Sequence, residues 1–123
     1  MSGDDIDYEE YAKHWRERFK KRELYLIEKK KELRKRAHKC SELLKTRFNV
    51  KKVYLIGSLL RGRMIHENAD IDLAVVGLAD EDYFPALRDL YNTLPRGVDL
   101  DLITVNTATE SMKKHINEEG ESI

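Results

Sequence analysis

The stretch YLIGSLLRGRMIHENADIDLAVV, residues 54–76, contains two apolar runs with a basic loop between them. The first run is typical of a strand that ends at Gly57, and the second places Asp70 and Asp72 inside an otherwise apolar strand. Because side chains alternate along a strand, these two carboxylates lie on one face of the sheet. Burying a charge is unfavourable unless a partner compensates it. The sequence therefore predicts a bound cation at this face.

A later apolar run, VDLDLITV at residues 98–105, repeats this arrangement with Asp99 and Asp101. If the two strands are neighbours, up to four carboxylates meet, and their repulsion raises their pKa values unless a cation lies between them. Carboxylate oxygens with no His or Cys beside them favour Mg²⁺ or Mn²⁺ over Zn²⁺. The pattern predicts a divalent metal site on a sheet face that is otherwise left open.

The loop between the first two strands is a candidate anion site. Gly57 lets the backbone approach a bound group closely, and Ser58 offers a hydroxyl and an amide. Gly62 allows an unusual turn between two basic residues, Arg61 and Arg63, for which a solvated loop is the alternative. A phosphate-binding turn beside paired aspartates is what metal-assisted nucleotidyl transfer requires.

The rest of the chain predicts a single α+β domain over residues 1–123, with a small mixed sheet covered by helices. Helical spacing indicates an N-terminal helical segment at residues 8–48, as one long helix or two, which Asn49 ends. Three further elements are expected: a helix at about residues 81–94, a short helix from Asn106 or Thr107 through Ile116, and a small edge strand or frayed end after it.

The N-terminal segment offers two surfaces with open interpretations. Tyr11, Trp15 and Phe19, spaced by four residues, form either part of the core or a partner interface. The run KKRELYLIEKKKELRKR, residues 20–36, is either a nucleic-acid contact or a solvated helical face with interspersed glutamates. Cys40 is expected to be a small core residue.

Composition limits the class of protein. The 123 residues carry no formal net charge, are 41% hydrophobic and include one cysteine, so no internal disulfide forms. The sequence has no apolar run of the ~18–20 residues that a membrane span needs, and its polar start does not resemble a signal peptide. These features predict a cytoplasmic protein.

Taken together, these motifs resemble those of the DNA polymerase beta-like nucleotidyltransferase superfamily. The resemblance rests on Gly57-Ser58, eleven intervening residues, Asp70-Ile71-Asp72-Leu73 and the later strand VDLDLI. The segments GSLLRGR and NADIDLAVV, with the tail HINEEG, are similar to those of the minimal nucleotidyltransferases of prokaryotes. The resemblance covers about residues 50–120, the expected catalytic core, and implies the nucleotidyltransferase fold.

The resemblance also implies roles for the aspartates. Asp70 and Asp72 would ligate both metal ions. Asp99, matching the family's third carboxylate, would hold the metal that activates the acceptor hydroxyl and help remove its proton. Asp101 does not match a consistent family position and is expected just outside the ligand set.

For the loop, the resemblance implies binding of the nucleotide. Gly57 and Ser58 would bind the β and γ phosphates of an incoming NTP. Arg61 resembles a frequent loop arginine of the family, and Arg63 would assist the departing pyrophosphate. The chain departs from the family pattern at Asn68, where a serine is usual, but this change removes no metal ligand.

The implied activity is Mg²⁺- or Mn²⁺-dependent transfer of a nucleoside monophosphate, expected to be AMP from ATP, to a hydroxyl of a partner protein. Minimal members of the family are often paired with a helical HEPN-type toxin, so the chain resembles the antitoxin of such a pair. One alternative is a catalytically silent module that occludes its partner. Another is a nucleic-acid-binding protein that uses the basic helix. Acceptor, base preference and oligomeric state stay open.

Overall fold

The computed structural model describes residues 7–57 and 70–123. Its helices and strands are, in chain order, α1 (Tyr8–Arg47), β1 (Lys52–Ile56), β2 (Ile71–Val76), α2 (Tyr83–Thr93), β3 (Leu100–Thr104), α3 (Glu110–Glu119) and β4 (Glu121–Ser122). The strands form one sheet in the order β3-β2-β1-β4. β2 and β3 are parallel, while β1 is antiparallel to both β2 and β4. This confirms the predicted α+β class with a small mixed sheet.

Helix α1 is continuous over nearly the whole predicted helical segment. The Asp7 side chain caps its start by accepting a hydrogen bond from the Glu10 N–H at 3.1 Å. At its other end Asn49 adopts a φ of 54°, the left-handed conformation that commonly ends a helix. Forty residues correspond to a helix of about 60 Å, so α1 is far longer than the sheet requires.

The main core lies between one face of the sheet and helices α1 and α2. The last four turns of α1 contribute Leu33, Ala37, Cys40 and Leu44, all nearly inaccessible to solvent. The sheet contributes alternating buried residues, including Val53, Leu55, Leu73, Val75 and Leu102. Helix α2 adds Ala86 and Leu90. The prediction that Cys40 is a core residue is confirmed, whereas Tyr11, Trp15 and Phe19 are exposed and are not part of the core.

The opposite face of the sheet is partly covered by α3. Ile116 of this helix packs on Ile56 and Ala74 in a second, smaller buried cluster. Ala74 shares a face with Asp72, since the two are separated by two positions in β2. The expectation of an open carboxylate face was therefore too broad, because α3 leaves only the end of this face near Asp72 uncovered.

The short strand β4 joins the end of the described chain to α1 and β1. Glu121 pairs with Leu55 in the sheet, and its carboxylate accepts a hydrogen bond from Arg34 of α1 at 2.7 Å. The Lys45 ammonium donates to the carbonyl oxygen of Ile123 at 2.6 Å. No helix within residues 7–57 and 70–123 is long and apolar enough to cross a membrane.

Candidate active site

The candidate site is built by the pairing of three neighbouring strands, β1, β2 and β3. Asp72 in β2 lies between Ile56 of β1 and Asp101 of β3, in register with both. Paired residues in adjacent strands direct their side chains to the same face, so the Asp72 and Asp101 carboxylates lie side by side. The parallel pairing of β2 and β3 thus brings together two of the predicted acidic residues.

The other two aspartates, Asp70 and Asp99, each lie one residue before the start of β2 and β3. The N–H of Ile71 donates to the carbonyl oxygen of Asp99 at 2.9 Å. Continuing the register of Ile71 with Leu100 by one residue places Asp70 level with Asp99. Both Asp70 and Asp99 are exposed, whereas Asp72 is half-buried. Asp101 is exposed as well, so the four carboxylates form two levels, and Asp72 is the half-buried one among them.

The electrostatic surroundings of Asp72 disfavour its negative charge. Burial raises the pKa of Asp72 above its ordinary value, and the negative charges of Asp101 and Asp70 raise it further. No Lys or Arg in the described part of the chain forms a salt bridge with any of these three carboxylates. The site accordingly has negative charge for which the described residues provide no compensating cation.

Gly57 is required next to Asp72 for two independent reasons. Its φ of +85° is a conformation that side-chain-bearing residues rarely adopt. A Cβ atom at this position would also collide with the Asp72 carboxylate, and would lie 3.2 Å from its Cγ. The first glycine of the predicted phosphate-binding turn thus makes room for the carboxylate of the predicted metal site.

Not all predicted site residues can be placed. Ser58, Arg61 and Arg63 lie outside the described residues. Asp99 is placed beside the level of Asp70, one residue before β3, and it is Asp101 that stands in register with Asp72. The sequence predicts that Asp99 and Asp101 share one face of their strand. It does not predict which of the two pairs with Asp72, because that depends on the relative position of β2 and β3 along the strand direction.

The carboxylates suit a magnesium site only in combination with other ligands. Across residues 7–57 and 70–123, no three His, Cys, Asp or Glu side chains converge closely enough to hold a metal ion by themselves. Mg²⁺ is usually bound through one or two carboxylates together with waters and substrate phosphates, rather than by an all-protein cage. Uncompensated oxygen donors with a raised Asp72 pKa therefore fit a hard divalent cation whose remaining ligands come from a substrate.

Comparisons with known proteins agree with this geometry. The sequence matches the family described as "Polymerase beta, Nucleotidyltransferase" over residues 38–123. None of the curated protein sequences matches the chain.

Similar solved structures belong to toxin–antitoxin complexes. A chain from the MntA–HepT complex superposes with a TM-score of 0.54 and 22% identity, covering 72% of this chain and 69% of that chain. A chain from a toxin–antitoxin structure with AMP-PNP gives a TM-score of 0.58 and 26% identity, covering 69% of each chain. The family-matched residues 38–123 contain all four strands of the sheet and the four aspartates Asp70, Asp72, Asp99 and Asp101.

Proposed function

The chain belongs to the polymerase beta nucleotidyltransferase family, and from this premise we propose that it transfers AMP from ATP to a hydroxyl group of a partner protein. In this reaction the acceptor oxygen bonds to the α-phosphorus, the bond from that phosphorus to the oxygen bridging to the β phosphate breaks, and pyrophosphate leaves. The acceptor proton passes to a neighbouring carboxylate or to solvent. AMP is the preferred group because a similar toxin–antitoxin structure contains AMP-PNP, an ATP analogue.

The observation that carries this proposal is the contact between Gly57 and Asp72. The glycine ends β1 at the start of the predicted phosphate-binding turn, and the carboxylate belongs to the predicted metal site. Nucleotidyl transfer needs a triphosphate and a divalent cation bound side by side. A structural pair of surface aspartates would not require a glycine against one of them.

We assign the metal ligands from the register and from the family resemblance together. Asp70 and Asp72 would hold Mg²⁺ or Mn²⁺, and Asp101 competes with Asp99 for the role of third carboxylate because it is the neighbour of Asp72. The bound cations would supply charge stabilisation at the phosphates and a lower pKa for the acceptor hydroxyl. Gly57 and Ser58 would bind the β and γ phosphates.

The two loop arginines complete the proposed site. Arg61 would contact the triphosphate, and Arg63 the departing pyrophosphate, since guanidinium groups bind phosphate oxygens through paired hydrogen bonds.

The proposed partner is a helical HEPN-type toxin that the protein neutralises as an antitoxin. This proposal is supported by the fold similarity to chains of MntA–HepT complexes. In this proposal the partner itself presents the acceptor hydroxyl to the site formed by the small sheet and three helices of the described residues. Modification of a partner hydroxyl, such as that of a tyrosine, is consistent with this arrangement.

The direct test uses ATP labelled at the α-phosphate, Mg²⁺ or Mn²⁺, and a candidate helical toxin. We expect label on the toxin only when metal and enzyme are both present, and about 100-fold or more slower transfer with Asp72→Asn. Neutralisation of the toxin by Asp72→Asn at wild-type potency, with no labelling by either protein, would instead establish the silent binding module.

A matched pair of variants identifies the third carboxylate. Asp101→Asn and Asp99→Asn make the same chemical change on residues two positions apart on one face of the sheet. If Asp101 is the ligand, its variant loses transfer by about 100-fold while Asp99→Asn loses less than about threefold. The reverse order would restore Asp99 to the role that the family resemblance implies.

A further inference from the structure

Strand β3 is an edge strand of the sheet that residues 7–57 and 70–123 form, with β2 on one side of it and no strand on the other. The carbonyl oxygen of Asp99 points toward β2, where it accepts a hydrogen bond from the Ile71 N–H at 2.9 Å. Since the C=O and N–H of a trans peptide point in opposite directions, the N–H of Leu100 points away from β2. The backbone groups on this outer side of β3 therefore need partners from outside the sheet.

Two tyrosine hydroxyls of α2 are these partners. The Tyr91 hydroxyl accepts a hydrogen bond from the Leu100 N–H at 3.1 Å and donates one to the Leu100 carbonyl oxygen at 3.2 Å. A hydroxyl donates one hydrogen bond while it accepts others, so both bonds form at once. The Tyr83 hydroxyl donates to the carbonyl oxygen of Leu102 at 2.8 Å. The outer side of β3 is thus held at Leu100 and Leu102, the residues on either side of Asp101.

The helix that carries the tyrosines is itself fixed to the core. Ala86 and Leu90 of α2 are fully buried in the core between this helix and the sheet. Tyr83 and Tyr91 are eight residues apart, which places them about 80° from each other on one flank of the helix. The Tyr83 ring also packs against the core and, edge to face, against Phe84. The two hydroxyls therefore bind β3 from a rigid support.

The position of β3 along β2 decides which carboxylate lies beside Asp72. In the observed register Asp72 pairs with Asp101. A shift of β3 by two residues would keep the same face toward the site and would place Asp99 beside Asp72 instead. Functional side chains must be held to within about 0.5 Å, and a misplacement of about 1 Å can cost about 100-fold in rate. An edge strand that carries such a carboxylate needs support on its outer side.

We propose that Tyr83 and Tyr91 are positioning residues of the candidate active site, whose hydroxyls fix the β3 backbone so that the Asp101 carboxylate stays beside that of Asp72. The proposal rests on the proposed function, in which these carboxylates hold Mg²⁺ or Mn²⁺ together with substrate phosphates. Helix α2 packs on the face of the sheet opposite to the carboxylates. The tyrosines therefore act on the site through the backbone of β3.

Hydrogen exchange of the metal-free protein tests the contact itself. Tyr91→Phe removes the acceptor of the Leu100 N–H and keeps the ring, so we expect exchange of the Leu100 amide to accelerate about tenfold or more. The Lys51 amide, which donates to the Val76 carbonyl oxygen at 2.8 Å, is the internal control and should change by less than about twofold. Unchanged exchange at Leu100 overturns the proposal, whether or not the protein has the proposed activity.

Metal binding tests the consequence for the site. Tyr83→Phe combined with Tyr91→Phe should weaken binding of Mn²⁺ with AMP-PNP by about tenfold or more in isothermal titration calorimetry, as expected when groups that orient metal ligands are removed. The matched control is Thr93→Val, which also removes a hydroxyl from α2. That hydroxyl donates to the Asp89 and Leu90 carbonyl oxygens within the helix, at 3.0 and 2.8 Å. The control should bind within about twofold of wild type, and equal losses in the two proteins overturn the proposal.

A double-mutant cycle with Asp101→Asn distinguishes positioning from a general loss of stability. In the Asp101→Asn background, Tyr83→Phe with Tyr91→Phe should weaken binding by less than about twofold further, because the carboxylate that they position is gone. The same loss in both backgrounds rejects the positioning role, since a merely structural effect does not depend on that carboxylate. Wild-type affinity in the double tyrosine variant rejects the positioning role and leaves the proposed function intact. A wild-type chain that binds Mn²⁺ and AMP-PNP no better than Asp72→Asn refutes the proposed function, and this proposal with it.

Discussion

Replacing Asp72 by Asn is expected to stabilise the metal-free protein while abolishing its response to Mg²⁺. The half-buried Asp72 carboxylate has a raised pKa because of burial and because of the charges of Asp101 and Asp70. Burial and the neighbouring charges thus make ionisation of this group less favourable in the folded protein than in the unfolded chain. Asparagine keeps the shape of the side chain and removes the charge, so the folded state loses an unfavourable interaction.

The size of this effect follows from the strand pairing. Adjacent strands are about 4.8 Å apart, and residues two apart along one strand are about 6.6 Å apart, so the carboxylates of Asp101 and Asp70 each lie roughly 6 Å from that of Asp72. Two unit charges at this distance repel by about 3 kcal/mol at an effective dielectric constant of about 20, and screening at the exposed Asp70 and Asp101 reduces this to about 0.5–1 kcal/mol each. We therefore expect Asp72→Asn to gain about 1–2 kcal/mol, or roughly 4–8 °C in Tm for a domain of this size.

The sign of the pH dependence is also fixed. Because the folded pKa of Asp72 lies above the unfolded value of 3.8, the folded state binds the proton more tightly. The wild-type protein therefore loses stability relative to Asp72→Asn as the pH rises from about 4 through the folded pKa, and the two proteins converge below pH 4. Mg²⁺ should raise the wild-type Tm at pH 7 and leave that of the variant nearly unchanged.

The measurement is thermal and urea unfolding of both proteins in EDTA and in Mg²⁺ from pH 4 to 8. Asp99→Asn is the matched control, since Asp99 is an exposed carboxylate on the same face and should change stability by less than about 0.5 kcal/mol. If Asp72→Asn is no more stable than wild type in EDTA at pH 7, the carboxylates do not repel one another and the electrostatic basis of the metal site is wrong.

Gly57→Ala should lower the free energy of unfolding by about 1–3 kcal/mol, because the new methyl group combines an unfavourable φ with a collision against Asp72. The variant should also lose the stabilisation that Mg²⁺ gives to the wild type. Urea unfolding with and without Mg²⁺ measures both effects, and a Mg²⁺ stabilisation equal to that of the wild type would contradict the contact between Gly57 and Asp72. Burial raises the pKa of the Cys40 thiol to about 11, so a thiol reagent at pH 8 should react with it only at the rate of protein opening, and burst labelling of the native protein would refute this. Leu44→Ala should cost about 2–5 kcal/mol in urea unfolding, whereas Leu24→Ala on the exposed helix surface should cost less than about 0.5 kcal/mol.

Periodicity was sufficient to predict the elements but not how far each is covered. The helical segment at residues 8–48 and the strands around Asp72 and Asp101 follow from spacings of four and of two, and the observed bounds differ by one or two residues. The same spacing of four led to the idea that Trp15 belongs to the core or to an interface, and only the tertiary structure shows that the helix outruns the sheet. Amphipathic patterns identify the face that binds something but not its partner.

For the candidate site, too, the sequence predicts features of a single strand but not contacts between residues far apart in the chain. That Asp70 and Asp72 share a face is a property of one strand, and the sequence is sufficient for it. That Asp101 stands beside Asp72 depends on the register of two strands separated by α2, which local spacing does not determine. The reason for Gly57 is likewise non-local, because the atom that excludes a side chain there belongs to another strand.

The short strand β4 has a consequence for the order of folding. Its contact with α1 through Arg34 and Glu121 joins residues 87 positions apart, and Lys45 reaches Ile123 across 78 positions. Closing loops of this length costs entropy that only a largely assembled domain can offset. These contacts should therefore form late, after the transition state, so weakening them would accelerate unfolding with little effect on the folding rate. The contacts of Glu121 and Ile123 with α1 therefore affect the lifetime of the native state more than the rate at which it forms.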